Sequence, residues 1–197
     1  MILGITGKSG TGKHTAAKFF EQKGWKVLDA DKIAHKLYRP YQRIWRQVVD
    51  FFGEGILTRD DTIDRQKLKK IVFGKGPESA KALKSLNDIV HPELKRYLKD
   101  EIYYLRKKRA NTVVVAALWK ELDLLKLCDS VLLIRAGDAL AYERIRKRDG
   151  IDYDMFEAAT RNHNEPENAQ ETVVNEGGFQ DFYRELNKLL QKLEQKF

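Results

Sequence analysis

Residues 7–13, Gly-Lys-Ser-Gly-Thr-Gly-Lys, directly follow the apolar run of residues 2–6 and directly precede a stretch with helical spacing. Glycines at the first and sixth positions let the backbone curl so that successive N–H groups face one point. The helix that follows aims its positive end at the same place, and Lys13 has the reach to meet the outer oxygens of a polyphosphate. The chemistry implied is the cradling of a nucleoside triphosphate, and the candidate contacts are Lys8, Ser9, Gly10, Thr11, Gly12, Lys13, His14 and Thr15. Lys13 is expected to stand exposed in the loop, contributing charge rather than packing.

One position departs from the usual pattern. After the lysine such loops carry a Ser or Thr whose hydroxyl ligates Mg²⁺; here the residue is His14, followed by Thr15. Water and phosphate oxygens can hold much of the octahedral Mg²⁺ shell, so loss of the hydroxyl does not by itself abolish phosphoryl transfer. The remaining shell would be water, phosphate and Asp31. An imidazole prefers softer metals, which implies weaker Mg²⁺ dependence and better tolerance of Mn²⁺; alternatively, a protonated His14 donates to a phosphate.

A second short apolar strand, residues 25–28, runs into Asp29-Ala30-Asp31. In open α/β sheets ligands gather at the carboxyl ends of the strands, where Asp31 can accept a hydroxyl proton as general base, worth about 10²–10⁴ in rate. Either aspartate can equally serve as the amino-terminal cap of the helix that follows.

These groups need a scaffold. A chain of 197 residues with 42% hydrophobic content supports one α/β core plus a small excursion. Residues 13–23 read as a helix closed by Gly24. Residues 33–109 read as almost wholly helical, broken at Pro40, at residues 53–55, at residues 74–77 and at His91-Pro92, with Pro92 expected to open a helix. Residues 112–118 form a nearly continuous apolar run, the mark of a strand buried on both faces of a parallel sheet. Strands over residues 130–134 and 172–174, an arginine-rich helix over 137–148 and an amphipathic helix over 179–197 complete a parallel sheet with helices on both sides. The expected division is a nucleotide-binding core of residues 1–32 and 110–197 around a helical insertion of residues 33–109.

The formal net charge is +8, which attracts polyanions, phosphorylated small molecules among them. Cys128 is the sole cysteine, so no intramolecular disulfide forms and a reducing compartment is expected. The chain opens on a core strand without a basic leader and no segment approaches membrane-span length, so a cytoplasmic protein without membrane contact is expected. The four histidines, at positions 14, 35, 91 and 163, lack zinc-ligand spacing.

The phosphate loop, Val-Leu-Asp-Ala-Asp-Lys-Ile-Ala-His at 27–35, Ile-Asp-Arg-Gln-Lys-Leu at 63–68, Ile-Val-Phe at 71–73 and Ile-Val-His-Pro at 89–92 occur in the order seen in dephospho-coenzyme A kinases. The chain resembles that family almost from end to end. The resemblance extends through Ala-Leu-Trp-Lys-Glu at 117–121, where the family has Pro-Leu-Leu-x-Glu, to Asp129, Arg144, Arg148 and Val-Asn-Glu-Gly at 174–177. It implies a P-loop kinase core, ATP and Mg²⁺ as cofactors, and transfer of the γ-phosphoryl group to the ribose 3′-hydroxyl of dephospho-coenzyme A. It makes Asp31 the base and the helical insertion the acceptor-binding part, with His35, Arg65 and His91 toward the acceptor. His91 also reads as a helix-entry residue.

In the same family context Arg144, Arg146, Lys147 and Arg148 lie on a helix resembling a lid, over about residues 137–165, which neutralises charge as the phosphoryl group moves. Arg144 and Arg148 share a helix face; a solvated basic helix is the plainer reading. Asn175 lies in a segment resembling the adenine-side loop. Besides His14, two departures stand out: Ala117 replaces a proline, and residues 158–168 lack the usual glutamine and offer His163 and Asn164. Three rival readings stay open: a kinase of another small hydroxyl or nucleotide acceptor, a nucleotide-binding protein without turnover, and an RNA-binding module. The last is disfavoured because no aromatic RNA-binding strand motif is present.

Overall fold

The computed structural model describes residues 1–74, 76–116, 119, 122–160 and 169–196. Ala117, Leu118, Lys120, Glu121, His163 and Asn164, singled out above, lie outside the described residues. The chain divides into two compact units, Met1–Asp29 with Asp100–Phe197 and, separately, Ala30–Lys99.

The first unit is built on five parallel strands, β1 (Ile2–Thr6), β2 (Lys26–Asp29), β3 (Thr112–Val115), β4 (Ser130–Arg135) and β5 (Glu171–Val174), in the order β2-β3-β1-β4-β5. Each strand aligns with its neighbours in register, as in Gly4 beside Val114 and Val131. Strands β1, β3 and most of β4 are buried on both faces, which is why their sequences run apolar without alternation. The chain leaves β1 toward β2 on one side and leaves β3 toward β4 on the other. That reversal beside β1 opens a crevice at the carboxyl ends of the strands.

Helices α1 (Lys13–Gln22) and α8 (Phe179–Lys196) cover one face of the sheet. Phe19, Phe20, Trp25, Phe182, Leu186, Leu189, Leu190 and Leu193 pack there on Leu3, Ile5, Val113, Val115, Leu132 and Ile134. Each such side chain contributes about 1.5–3 kcal/mol when fully buried. The final leucines are therefore core residues, as their helical spacing implies. Asp129 is structural: its Oδ2 accepts the Ile2 N–H at 2.7 Å and its Oδ1 accepts from Arg106 at 2.6 Å. Burial and the adjacent Asp129 charge push the Cys128 thiol up to about 12, so it stays protonated and unreactive.

The second unit contains α2 (Ala30–Leu37), α3 (Arg43–Phe52), α4 (Arg65–Val72) and the first part of α5 (Pro77–Lys107). Its core gathers Ile44, Val48, Ile56 and Val90 with Leu37, Tyr38, Ile63 and Leu86. Asp64 caps α4 through its side chain, accepting the N–H groups of Gln66 and Lys67. Tyr41 and Asp61, both with positive φ, are joined by a hydrogen bond of 2.6 Å.

Pro92 corrects the sequence reading. It does not open a helix; it lies inside α5, which continues through it for fifteen more residues to Lys107. Pro92 gives up one backbone donor, and the buried Val90, Leu94, Leu98 and Ile102 hold the helix together on either side. The β3 strand, expected to reach residue 118, ends at Val115. We predict that Pro92→Ala raises stability. An interior proline costs about 3 kcal/mol of helix and returns roughly 1 kcal/mol by restricting the unfolded chain, which leaves a net gain of about 2 kcal/mol. Urea unfolding of the two proteins checks this; an unchanged or lower midpoint contradicts it.

Candidate active site

The phosphate loop joins β1, the central strand, to α1. Gly10 and Gly12 adopt φ values of 83° and 106°, which side-chain-bearing residues rarely do. A Cβ at Gly10 would collide with the Ala141 carbonyl, and one at Gly12 with the Asn175 side-chain nitrogen. The two glycines are there for backbone geometry and for close approach. Helix α1 begins at Lys13 with no side-chain cap and no acidic residue in its first turn. Its amino end therefore offers N–H donors and positive potential to an anion.

Lys13 is buried, with 8% of its surface exposed, against the expectation that it stands free in the loop. Its ammonium donates to the carbonyls of Gly7 at 2.6 Å and Lys8 at 2.7 Å. A buried charge needs such partners, and the curled loop supplies them by turning its carbonyls inward. Thr11 closes the same turn, its hydroxyl donating to the Lys8 carbonyl at 2.9 Å. Lys8 itself reaches outward to Asp138, at 2.8 Å, across an exposed pair worth roughly 0–1 kcal/mol.

Asn175 ties the loop to the far side of the sheet. It is 6% exposed, follows β5, and donates from Nδ2 to the Thr11 carbonyl at 2.8 Å. Its backbone N–H bonds the Arg135 carbonyl at 2.7 Å. Arg144, on helix α6 (Asp138–Asp149), donates to the Gly10 carbonyl and to Asn175 Oδ1, each at 3.4 Å. Arg148 does otherwise: it is exposed and bonds the neighbouring Asp149 at 2.7–2.8 Å, which raises its pKa. Of the two arginines expected at the site, the structure brings one to the loop. Ser9 and Thr15 are half-buried in the loop and on the first turn of α1.

A cavity of about 240 Å³ lies beside the loop, lined by Lys8, Thr11, Ile134, Arg135, Ala136, Gly137, Val174 and Glu176. Glu176 belongs to the 174–177 segment singled out in the sequence, whereas Arg135, Gly137 and Asp138 escaped it as site residues. Position is the only signal these three carried, since Arg135 ends β4 and Gly137 and Asp138 follow it at the edge where ligands gather.

His14 is half-exposed, and its Nε2 stands 3.1 Å from Oδ2 of Asp29, a carboxylate only 6% exposed at the end of β2. At this position a nitrogen thus stands beside a buried carboxylate, in place of the hydroxyl that an all-oxygen Mg²⁺ shell uses.

In the second unit Asp31 occupies the first turn of α2 and is exposed. A cavity of about 450 Å³ is lined by His35, Tyr38, Arg39, Arg65, Lys69 and apolar groups including Ile63, Leu68, Val72 and Leu86. Burial pushes the Tyr38 hydroxyl up to about 12 against the opposing pull of Arg65, so it stays a neutral donor. His35 and Arg65 are thus brought together, whereas His91, half-buried within α5, does not line that cavity. Tyr38, Arg39 and Lys69 were not expected.

Comparison with known proteins adds the following. The family model for dephospho-CoA kinase matches residues 1–180. A dephospho-CoA kinase of Lactobacillus johnsonii is 35% identical, with 98% of each chain covered. One of Fusobacterium nucleatum is 30% identical, again over 98% of each. A crystal structure from Thermus thermophilus superposes with a TM-score of 0.75 at 28% identity, over 98% of this chain and 97% of the other.

Lys13→Met keeps the bulk of the side chain and removes its charge, stranding the Gly7 and Lys8 carbonyls. We expect ATP affinity to fall at least tenfold and stability to fall by about 1–3 kcal/mol. Calorimetric titration and thermal unfolding check both parts; a variant that binds ATP normally contradicts the role given to the lysine.

Proposed function

Because this chain belongs to the dephospho-CoA kinase family, we propose that it transfers the γ-phosphoryl group of ATP to the ribose 3′-hydroxyl of dephospho-coenzyme A, the final step of coenzyme A formation. The observation that carries the proposal is the phosphate loop: Gly10 and Gly12 at positive φ, the bare amino end of α1 and the buried Lys13 ammonium, all within the one segment that joins β1 to α1.

In this reading the β- and γ-phosphate oxygens replace the Gly7 and Lys8 carbonyls as partners of Lys13, so no charge is left unpaired at any stage. Asp31 takes the proton of the attacking hydroxyl as the new O–P bond forms and the bond to ADP breaks. Arg144 places positive charge beside the loop as charge shifts to the leaving oxygen. Asn175 and the cavity lined by Arg135, Gly137 and Glu176 hold the base and sugar of ATP. The acceptor lies against the cavity of the second unit, where His35, Arg65, Arg39 and Lys69 supply cations for phosphate groups and Leu68, Val72 and Leu86 supply apolar surface. Mg²⁺ would arrive with ATP, held chiefly by phosphate and water, since position 14 has no oxygen donor. No described helix is long and apolar enough to cross a membrane, and the lone cysteine suits work in the reducing cytoplasm.

Incubation with ATP, Mg²⁺ and dephospho-coenzyme A should give coenzyme A, read by mass. A product with another acceptor, or ATP binding without product, would overturn the assignment. Asp31→Asn keeps the shape of the side chain but cannot take the proton, and should lower turnover by about 10²–10⁴ with ATP affinity unchanged. A collapse in ATP affinity at constant saturated rate would instead make Asp31 a metal-binding or structural group.

Arg144→Ala should lower kcat more than it raises KM for the acceptor, and by more than Arg148→Ala does, because only Arg144 touches the loop. Loss confined to acceptor KM would contradict the role.

A further inference from the structure

We propose that His14 Nε2 and Asp29 Oδ2 are two adjacent ligands of a divalent-cation site, which makes this site favour a first-row transition ion, Mn²⁺ among them, over Mg²⁺. The inference rests on the reading of the phosphate loop as an ATP site.

Three observations support it. The first is position: His14 occupies the place immediately after the loop lysine, where phosphate loops direct a metal-binding side chain toward the cation on the phosphates. The second is distance. Neighbouring ligands of an octahedral ion with bonds of about 2.1 Å stand roughly 3.0 Å apart, and the two atoms are separated by 3.1 Å. The third is the difference in their settings. Asp29 is buried and its backbone is held in the sheet opposite Val115, so its carboxylate is a fixed corner. His14, half-exposed on the first turn of α1, leaves the remaining corners open to water and phosphate.

The donor chemistry then selects the ion. A hydroxyl presents oxygen and suits Mg²⁺, which loses its waters reluctantly and takes oxygen ligands. An imidazole beside a carboxylate suits the first-row transition ions, which accept nitrogen and oxygen together. Replacing oxygen by nitrogen at one corner therefore moves the preference of the site without dismantling it. No electron is exchanged; the Nε2–H proton that faces Asp29 moves to Nδ1 or, from a protonated imidazole, is released to solvent, and two waters on the hydrated ion are displaced, one by Nε2 and one by Oδ2.

Mn²⁺ is the probe, because it is octahedral and paramagnetic. The protein is loaded with a non-hydrolysable ATP analogue, whose binding is followed by calorimetry, and Mn²⁺ is added. Its binding is followed by loss of the free-ion electron paramagnetic resonance signal, and its ligands by electron spin-echo modulation. The expected result is a ¹⁴N coupling from a directly bound imidazole in the wild type. His14→Ser should lose that coupling, weaken Mn²⁺ binding about tenfold or more and strengthen Mg²⁺ binding. Asp29→Asn should weaken Mn²⁺ binding while keeping the ¹⁴N coupling.

Mn²⁺ bound to the wild-type nucleotide complex without a ¹⁴N coupling would overturn the proposal and reduce His14 and Asp29 to a hydrogen-bonded pair, leaving the ATP-site reading intact. Failure of the analogue itself to bind would overturn both.

Discussion

A buried ammonium organises this molecule's chemistry. Lys13 lies at the start of α1 with almost no exposed surface, and its charge is met by two carbonyls of the loop that precedes it. Burial of an unpaired charge would be prohibitively costly, so the loop must keep its curl for Lys13 to remain where it is. The curl in turn requires glycine at positions that no side-chain-bearing residue adopts cheaply. A phosphate can take over the ammonium and accept from the uncapped N–H groups at the amino end of α1 at the same time. The loop is thus shaped before its guest arrives, and binding energy is not spent on ordering it.

The rest of the first unit keeps that loop in place. β1 is central and fully buried, so the loop emerges from the least deformable part of the sheet. Asn175 reaches over from the end of β5 and fastens the Thr11 carbonyl, while Arg144 binds both Asn175 and the loop. The two contacts to the loop join residues 164 and 134 positions apart. Arg148, on the same helix face by spacing, is engaged by Asp149 instead. Equal spacing on a helix gave the two arginines the same direction but not the same partner.

Much of this was legible in the chain. Apolar runs of β-branched residues announced buried parallel strands, the glycine pattern announced the phosphate loop, and leucines at helical spacing announced α8 as a packed helix. What escaped depends on tertiary context. Pro92 reads as a helix start by local preference, yet apolar packing along α5 overrides one missing hydrogen bond. Lys13 reads as a solvated charge because its partners are backbone carbonyls, which have no letter in a sequence. Asp29 reads as a helix cap because only the folded sheet brings β2 beside the start of α1 and sets its carboxylate against His14.

The central claim is that loop shape, not net charge, confers phosphate binding, and Gly12→Ala tests it most directly. The added methyl group changes no charge, but it must meet the Asn175 side chain at a φ of 106°. Calorimetric titration with ATP should show affinity reduced by about a hundredfold or more, the equivalent of roughly 2.7 kcal/mol, while circular dichroism shows the sheet and helices intact. ATP binding within about twofold of wild type would contradict the account.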